Sequence, residues 1–285
     1  MSSGIAFIVI ASLYWLFCLF VGVWGYKHTK SSEDFFVAGG SIGPIVLSLS
    51  LLATFNSSVA MMGHTGNIYM SGLSYLTYLG GGAIQAALYI LIFYRRVWFI
   101  NEKKRYLTPA EMFGDYYKSK GIRGLTAIVA LLMGIPYVAL QLIAAGYVFN
   151  ILSQGMLSET FGMYVMGGIV IVYIFLGGLK SAAITDALQG SLMFVALLLG
   201  GVYGIVLLGG PGAFIEGLSN LPEYMLTHGA DEAYSWQTGA SLLLSIGTGV
   251  ILGPLSLTWA LSAKSEKTIR FAGVFSAVAT AILYV

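Results

Sequence analysis

Residues 52–66 read "LATFNSSVAMMGHTG" and interrupt an apolar segment that runs from about residue 42 to about residue 70. The stretch gathers Thr54, Asn56, Ser57, Ser58, His64 and two glycines where a hydrocarbon-soluble run would hold apolar side chains. Thr and Asn are weak helix formers, and Asn and Ser side chains compete for backbone hydrogen bonds. In lipid, backbone that leaves the helix has no water to bond, so it persists only where it is buried in protein or lines a wet cavity. The stretch therefore predicts a helix that opens in mid-membrane.

The rest of the chain supplies the membrane. Of 285 residues, 58% are hydrophobic and 9% charged, against roughly 25% charged in soluble domains. Eight hydrophobic segments lie near residues 5–25, 43–69, 72–94, 122–150, 162–179, 186–209, 237–262 and from 268 to the end. They match the run of about 20 residues needed to cross a hydrocarbon core of about 30 Å. The composition predicts an all-α polytopic protein of the lipid bilayer, with no basic tract for nucleic acid and no ATP motif. The N-terminal run lacks a positive flank and is too long for a signal peptide, so it reads as a retained span. The single cysteine, Cys18, can form neither an internal disulfide nor a cysteine metal site. The last segment stops at "ATAILYV" without a polar flank, which suggests a portion of a longer polypeptide.

Lys and Arg are retained on the cytoplasmic side of spans. All fourteen fall in alternate connections: Lys27 and Lys30; the group from Arg95 to Arg123; Lys180; and Lys264, Lys267 and Arg270. The remaining connections carry Glu159, Glu216, Glu223, Asp231 and Glu232 instead. The N-terminus is thus expected outside. Between the third and fourth spans, "LTPAEMFGDYY" offers Thr108 as a helix cap, Pro109 in the first turn and Glu111 as the capping-box acid. A short amphipathic helix at the cytoplasmic surface is expected there. The long outer connection after residue 209 is expected to hold some helix, and its His228, Asp231 and Glu232 read as a solvated loop rather than a metal site.

A second interruption appears in the seventh span, "SIGTGVILGPLSLTW". Gly247, Gly249 and Gly253 loosen the helix, and Pro254 removes a backbone donor. Glycines also serve close helix contact in membranes, yet this span runs inward whereas the second runs outward. Paired interrupted helices of opposite direction mark the binding site of inverted-repeat transporters.

These motifs resemble the sodium:solute symporter family. "SEDFFVAGGSIGP" resembles the entry to its second helix and "LATFNSSVAMMGHTG" the broken helix itself. "LTPAEMFGDYY" is similar to its Pro-Glu segment, without the Arg found there, and "GGLKSAAITDALQGSLMF" resembles its most specific stretch. "GVILGPLSLTWALSAKS" is similar to its seventh-helix pattern. The resemblance implies a LeuT-like five-plus-five inverted repeat preceded by one extra helix. Residues 1–30 would be that helix, 42–209 a complete first repeat, and 236–285 the start of a truncated second, all in one transmembrane domain. It implies a transporter rather than an enzyme, moving a small-molecule solute with coupled Na+.

On that mapping, Ala53 and Asn56 provide sodium-binding carbonyls with Ser57 adjacent, and Asp186 matches an acid tied to sodium release or a second sodium site. An acid favoured by a helix N-terminus is the alternative reading of Asp186. Hydroxyl donors to the first site are expected beyond residue 285, so residues 1–285 alone are not expected to couple sodium. Ser58, Ala60, Met61, Gly247, Gly249 and Val250 map to the solute cavity, and Gly253 and Pro254 to the second break. Sugar and sialic acid carriers have Gln at the position of Ala60, sugar carriers have Glu at that of Leu79, and proline carriers have aromatics at those of Ile246 and Val250. Each departure counts against that solute. His64 reads either as a proton-relay candidate or as a neutral hydrogen-bonded side chain, and Gln85 and Gln141 as amides that join helices. The alternatives to transport are a symporter-like sensory input domain and an inactive fragment.

Overall fold

The computed structural model describes residues 3–72, 75–76, 79, 86–227, 235–242, 244 and 248–284, without the side chains of Val59, Ala60, Met61, Val250 and Tyr284. Its described residues are almost entirely helical. Helix α1 (Ser3–His28) is followed by a short α2 (Ser32–Val37), which Ser31 caps by accepting a hydrogen bond from Asp34 N. The second span is divided: α3 (Pro44–Phe55) ends at a break, and the chain resumes as a π-helical stretch (Val59–His64) leading into α4 (Thr65–Ser71). The third span ends in α5 (Arg95–Lys104) and is followed by the surface helix α6 (Pro109–Tyr116) and then by α7 (Lys120–Leu152).

Beyond these, one helical stretch covers Glu159–Leu207 (α8), with Gly178 at φ 59° and ψ −154° dividing it into spans five and six. A side chain at Gly178 would be strained at that φ, and its Cβ would stand 2.5 Å from the Phe35 carbonyl oxygen of α2. The outer connection carries α9 (Pro211–Ser219) and α10 (Glu223–Leu226), as expected. The seventh span is α11 (Trp236–Leu242), α12 (Thr248–Leu252) and α13 (Pro254–Ser262), and the eighth is α14 (Glu266–Tyr284).

Among the described residues, three helices are each long and apolar enough to span: Ser3–His28, Lys120–Leu152 and Glu159–Leu207. The divided spans fall short of that length because each is built from two half-helices. Helix α1 shows how the bilayer shapes packing. Ile10, Leu13, Phe20 and Trp24 face outward, whereas Cys18, Val21, Gly22 and Gly25 are buried, the last three against α8. Exposed apolar surface on this scale is untenable in water but costs nothing in lipid.

Two boundaries and one cap differ from those read in the sequence. The third span does not end at residue 94: α5 carries the helix ten residues further, where Trp98 Nε1 donates to Ala263 O at 2.9 Å and Asn101 Nδ2 to Leu261 O at 3.2 Å. Tertiary bonds replace the hydrophobic periodicity on which sequence reading relies. The sixth span starts at residue 179, directly after Gly178, rather than at Asp186, since the polar "LKSAAIT" is helical and packed. Its Ser181 and Thr185 are fully buried, and Ser181 Oγ donates to Val21 O at 3.1 Å. In the surface helix, Thr108 Oγ1 accepts from Glu111 N as foreseen, but the Glu111 carboxylate bonds Leu107 N, one residue earlier than a standard capping box. Helix α7 runs unbroken through Pro136.

Candidate functional site: two helix breaks around a shared cavity

At the first break, Asn56 takes φ −101° and ψ 64°, and its N–H closes back on Leu52 O at 3.0 Å. Beyond that bond the i+4 ladder stops and Ser57 is non-helical, so the carbonyls around Ala53 and Asn56 leave their regular partners. The outer half-helix starts at Ser58, whose N–H is bonded to Gln141 Oε1 of α7 at 3.1 Å. Because Ser58 N–H is a donor, the amide atom facing it must be the oxygen, which fixes the Gln141 orientation. Gln141 Nε2 is then left as the buried side-chain nitrogen without a hydrogen-bond partner among the described residues.

At the second break, Gly253 takes an extended ψ of 153°, Pro254 opens α13, and Gly253 O accepts from Leu257 N at 3.1 Å. The inner halves of the two broken spans are tied to each other. Ile42 N donates to Ser262 O at 3.1 Å and Lys264 N to Ile42 O at 3.0 Å, a short parallel bridge between Ile42 and Ala263. The third span holds the seventh on both sides of its break, through Tyr94 OH to Ile251 O at 3.0 Å before it and the Trp98 and Asn101 bonds given above after it. Helix α14 joins the first break: Asn56 Nδ2 donates to Leu52 O at 3.0 Å and to Thr280 Oγ1 at 3.4 Å.

Both breaks border a cavity of about 500 Å³. Thr54 lies on it from the first, Gly253 and Ser256 from the second, Tyr137 from α7 and Asp186 from α8. Tyr137 OH donates to Thr54 O at 3.2 Å, tying α7 to the end of α3. Asp186 makes no hydrogen bond or ion pair among the described residues. It also lies two turns inside its helix, because that helix starts at residue 179. The dipole of a helix N-terminus acts only over the first turn, so it does not account for an acid at this depth.

The structure thus brings Asp186, Gly253 and Thr54 to one cavity. It places Ala53, Asn56 and Ser57 at the break itself but not among the cavity-lining residues, and the buried Asn56 side chain joins α3 to α14. Pro254 shapes the second break without lining the cavity, and Gly249 sits in the half-helix above it. Gly247 lies outside the described residues, as do the side chains of Ala60, Met61 and Val250, and so do Ile246, Gln85, His228, Asp231 and Glu232. His64 Nδ1 is 2.6 Å from Tyr75 OH, a hydrogen-bonded histidine rather than an isolated one. Gln141 does join helices, but it reaches the break itself, which spacing alone could not indicate.

The family model for the sodium:solute symporter family matches residues 35–285. The sodium/proline symporter of Escherichia coli (strain K12) is 29% identical over 222 residues, covering 76% of this chain and 43% of the relative. The high-affinity proline transporter PutP of Bacillus subtilis (strain 168) is 31% identical over 199 residues, covering 68% and 41%. The chain spans less than half the length of these curated relatives. The fold resembles that of a Na+-coupled sialic acid symporter solved in a substrate-bound outward-open state, with a TM-score of 0.80 and 18% identity over 97% of this chain and 58% of that one. The divided second and seventh spans, the multi-pass membrane architecture and the family match over nearly the whole chain lead to one conclusion: this chain belongs to the sodium:solute symporter family.

Proposed function

We propose that this chain belongs to a sodium-coupled symporter that moves a small organic solute by alternating access. Residues 42–209 would form its first five-helix repeat and residues from 236 would open the second. The observation that carries the reading is the Asp186 carboxylate, without an ion-pair partner among the described residues, on the wall of a cavity bordered by both helix breaks. An ionised acid within a membrane span is expensive unless a cation meets it. Sodium is a hard cation that takes oxygen ligands, and opened half-helix ends supply carbonyl oxygen with a negative dipole.

The solute follows from the other end of the break. The half-helix beginning at Ser58 presents its positive end, and Gln141 Nε2 beside it has no acceptor among the described residues. Both favour an acceptor-rich group such as a carboxylate, and an amino acid or organic acid fits that requirement. Two similar proteins are proline carriers by name, which makes proline the first candidate, although Val250 stands where proline carriers have an aromatic. The test is uptake of radiolabelled proline and other small carboxylates by proteoliposomes containing the intact gene product. Stimulation by an inward sodium gradient supports the reading, and equal uptake in sodium and choline overturns it.

A further inference from the structure

At the cytoplasmic corner where α5, α6 and α7 meet, a concave pocket of about 470 Å³ lies outside the transport cavity. Five cationic side chains line it, Lys104, Arg105, Lys118, Lys120 and Arg123, against two carboxylates, Glu111 and Asp115. Three of the cations already have partners: Lys104 with Asp115 at 3.1 Å, Arg105 with Glu33 at 3.2 Å, and Arg123 with Glu111 at 3.9 Å. Lys118 and Lys120 have no ion-pair partner among the described residues, so the pocket keeps an excess of positive charge.

Its position adds to that charge. Ser119 caps α7 by accepting from Ile122 N at 3.3 Å, and the N–H groups of Lys120 and Gly121 find no acceptor among the described residues. The positive end of a 33-residue helix therefore opens on the pocket, adding backbone donors to the lysines. The exposed rings of Tyr116 and Tyr117, packed edge to face, stand just before that helix enters the membrane, at the level where aromatic side chains settle among headgroups.

We propose that this pocket binds the phosphate of an anionic phospholipid headgroup in the cytoplasmic leaflet. The lipid phosphodiester shares its chemistry with a free phosphate ester. The location favours the lipid source, because the pocket opens at the foot of a spanning helix, and basic pockets on the cytoplasmic side of membrane helices take anionic headgroups. Lys118 and Lys120 provide the charge-assisted contacts, and Ser119 and the start of α7 fix the pocket's shape. Sodium coupling does not enter the argument, so the pocket stands or falls independently of the transport reading.

The test is native mass spectrometry of the purified chain released from nanodiscs of phosphatidylcholine mixed with phosphatidylglycerol, with a parallel titration of soluble glycerol phosphate. The expected result is selective retention of phosphatidylglycerol. In the Lys118→Gln/Lys120→Gln variant that retention falls by about tenfold or more, with an unchanged thermal unfolding midpoint in phosphatidylcholine. The Lys27→Gln/Lys103→Gln variant, which loses the same charge elsewhere on the cytoplasmic face, keeps it. Equal loss in both variants would overturn the pocket in favour of diffuse surface charge. Retention unchanged in Lys118→Gln/Lys120→Gln would overturn it outright, and glycerol phosphate binding without phosphatidylglycerol selectivity would overturn the lipid assignment.

Discussion

Asp186 is the residue on which the transport reading turns. An acid within a membrane helix costs up to about 2.5–3.5 kcal/mol on insertion scales, the full figure applying at the helix centre, and no basic side chain pairs with it among the described residues. Replacing it with Asn keeps the shape and removes the charge. Asp186→Asn is expected to raise the sodium concentration for half-maximal uptake by about tenfold or more, while the thermal midpoint without sodium stays the same or rises. A lower midpoint with unchanged sodium dependence would make Asp186 a structural residue. Gln141→Leu should act on the other ligand: a buried donor lost to a bound acceptor costs about 1–3 kcal/mol. The expected readout is weaker apparent solute affinity with sodium affinity unchanged, in the same uptake assay. Asp186 entered the sequence reading through the family motif "GGLKSAAITDALQGSLMF" in which it stands. Gln141 was not legible as part of the site, because its role depends on a contact 83 positions away.

At the scale of elements, both breaks could be read from composition, since Asn-Ser-Ser and Gly-Pro weaken helices by local chemistry. Boundaries set by tertiary bonds could not. The extension of the third span past residue 94 and the early start of the sixth depend on Trp98, Asn101 and Ser181 meeting partners distant in sequence. The bridge at Ile42 and Ala263 makes a geometric prediction. Paired strand-like residues lie within the separation a disulfide can span, so Ile42→Cys/Ala263→Cys should cross-link on mild oxidation in a Cys18→Ala background. Failure to cross-link would mean that the inner halves of the two spans are not joined in the membrane.

The surface helix α6 carries a pH expectation. A hydrogen bond from the Tyr106 phenol, then Lys104, holds the Asp115 carboxyl below the usual carboxylate range, and the bond to Asp115 pushes Tyr106 up to about 12. A depressed acid stabilises above its ordinary value of about 3.9 and loses that effect only as pH falls through the lower folded value. A raised phenol stabilises below its ordinary value of about 10 and loses that effect as pH rises through about 12. Amide exchange across residues 109–116, corrected for intrinsic rates, should therefore show no step between about pH 5 and 9. A step inside that window would contradict the Tyr106–Asp115 pairing.

For the whole molecule, the recurring apolar segments foresaw the helical multi-pass architecture and the family motifs foresaw the fold. The solute could not be read, because Gly247 and the side chains of Ala60, Met61 and Val250 lie outside the described residues. The energetics of coupling are bounded all the same. One sodium crossing 100 mV contributes about 2.3 kcal/mol, and a tenfold gradient adds about 1.4 kcal/mol, together enough for roughly 500-fold accumulation. The most direct measurement is therefore accumulation of labelled proline and related carboxylates in proteoliposomes of the intact gene product, under a sodium gradient with a negative interior. Coupled symport predicts concentrative uptake of at least one such solute that collapses when sodium is replaced by choline, or when the gradient is dissipated. Uptake that merely equilibrates, at the same rate in either cation, would contradict it.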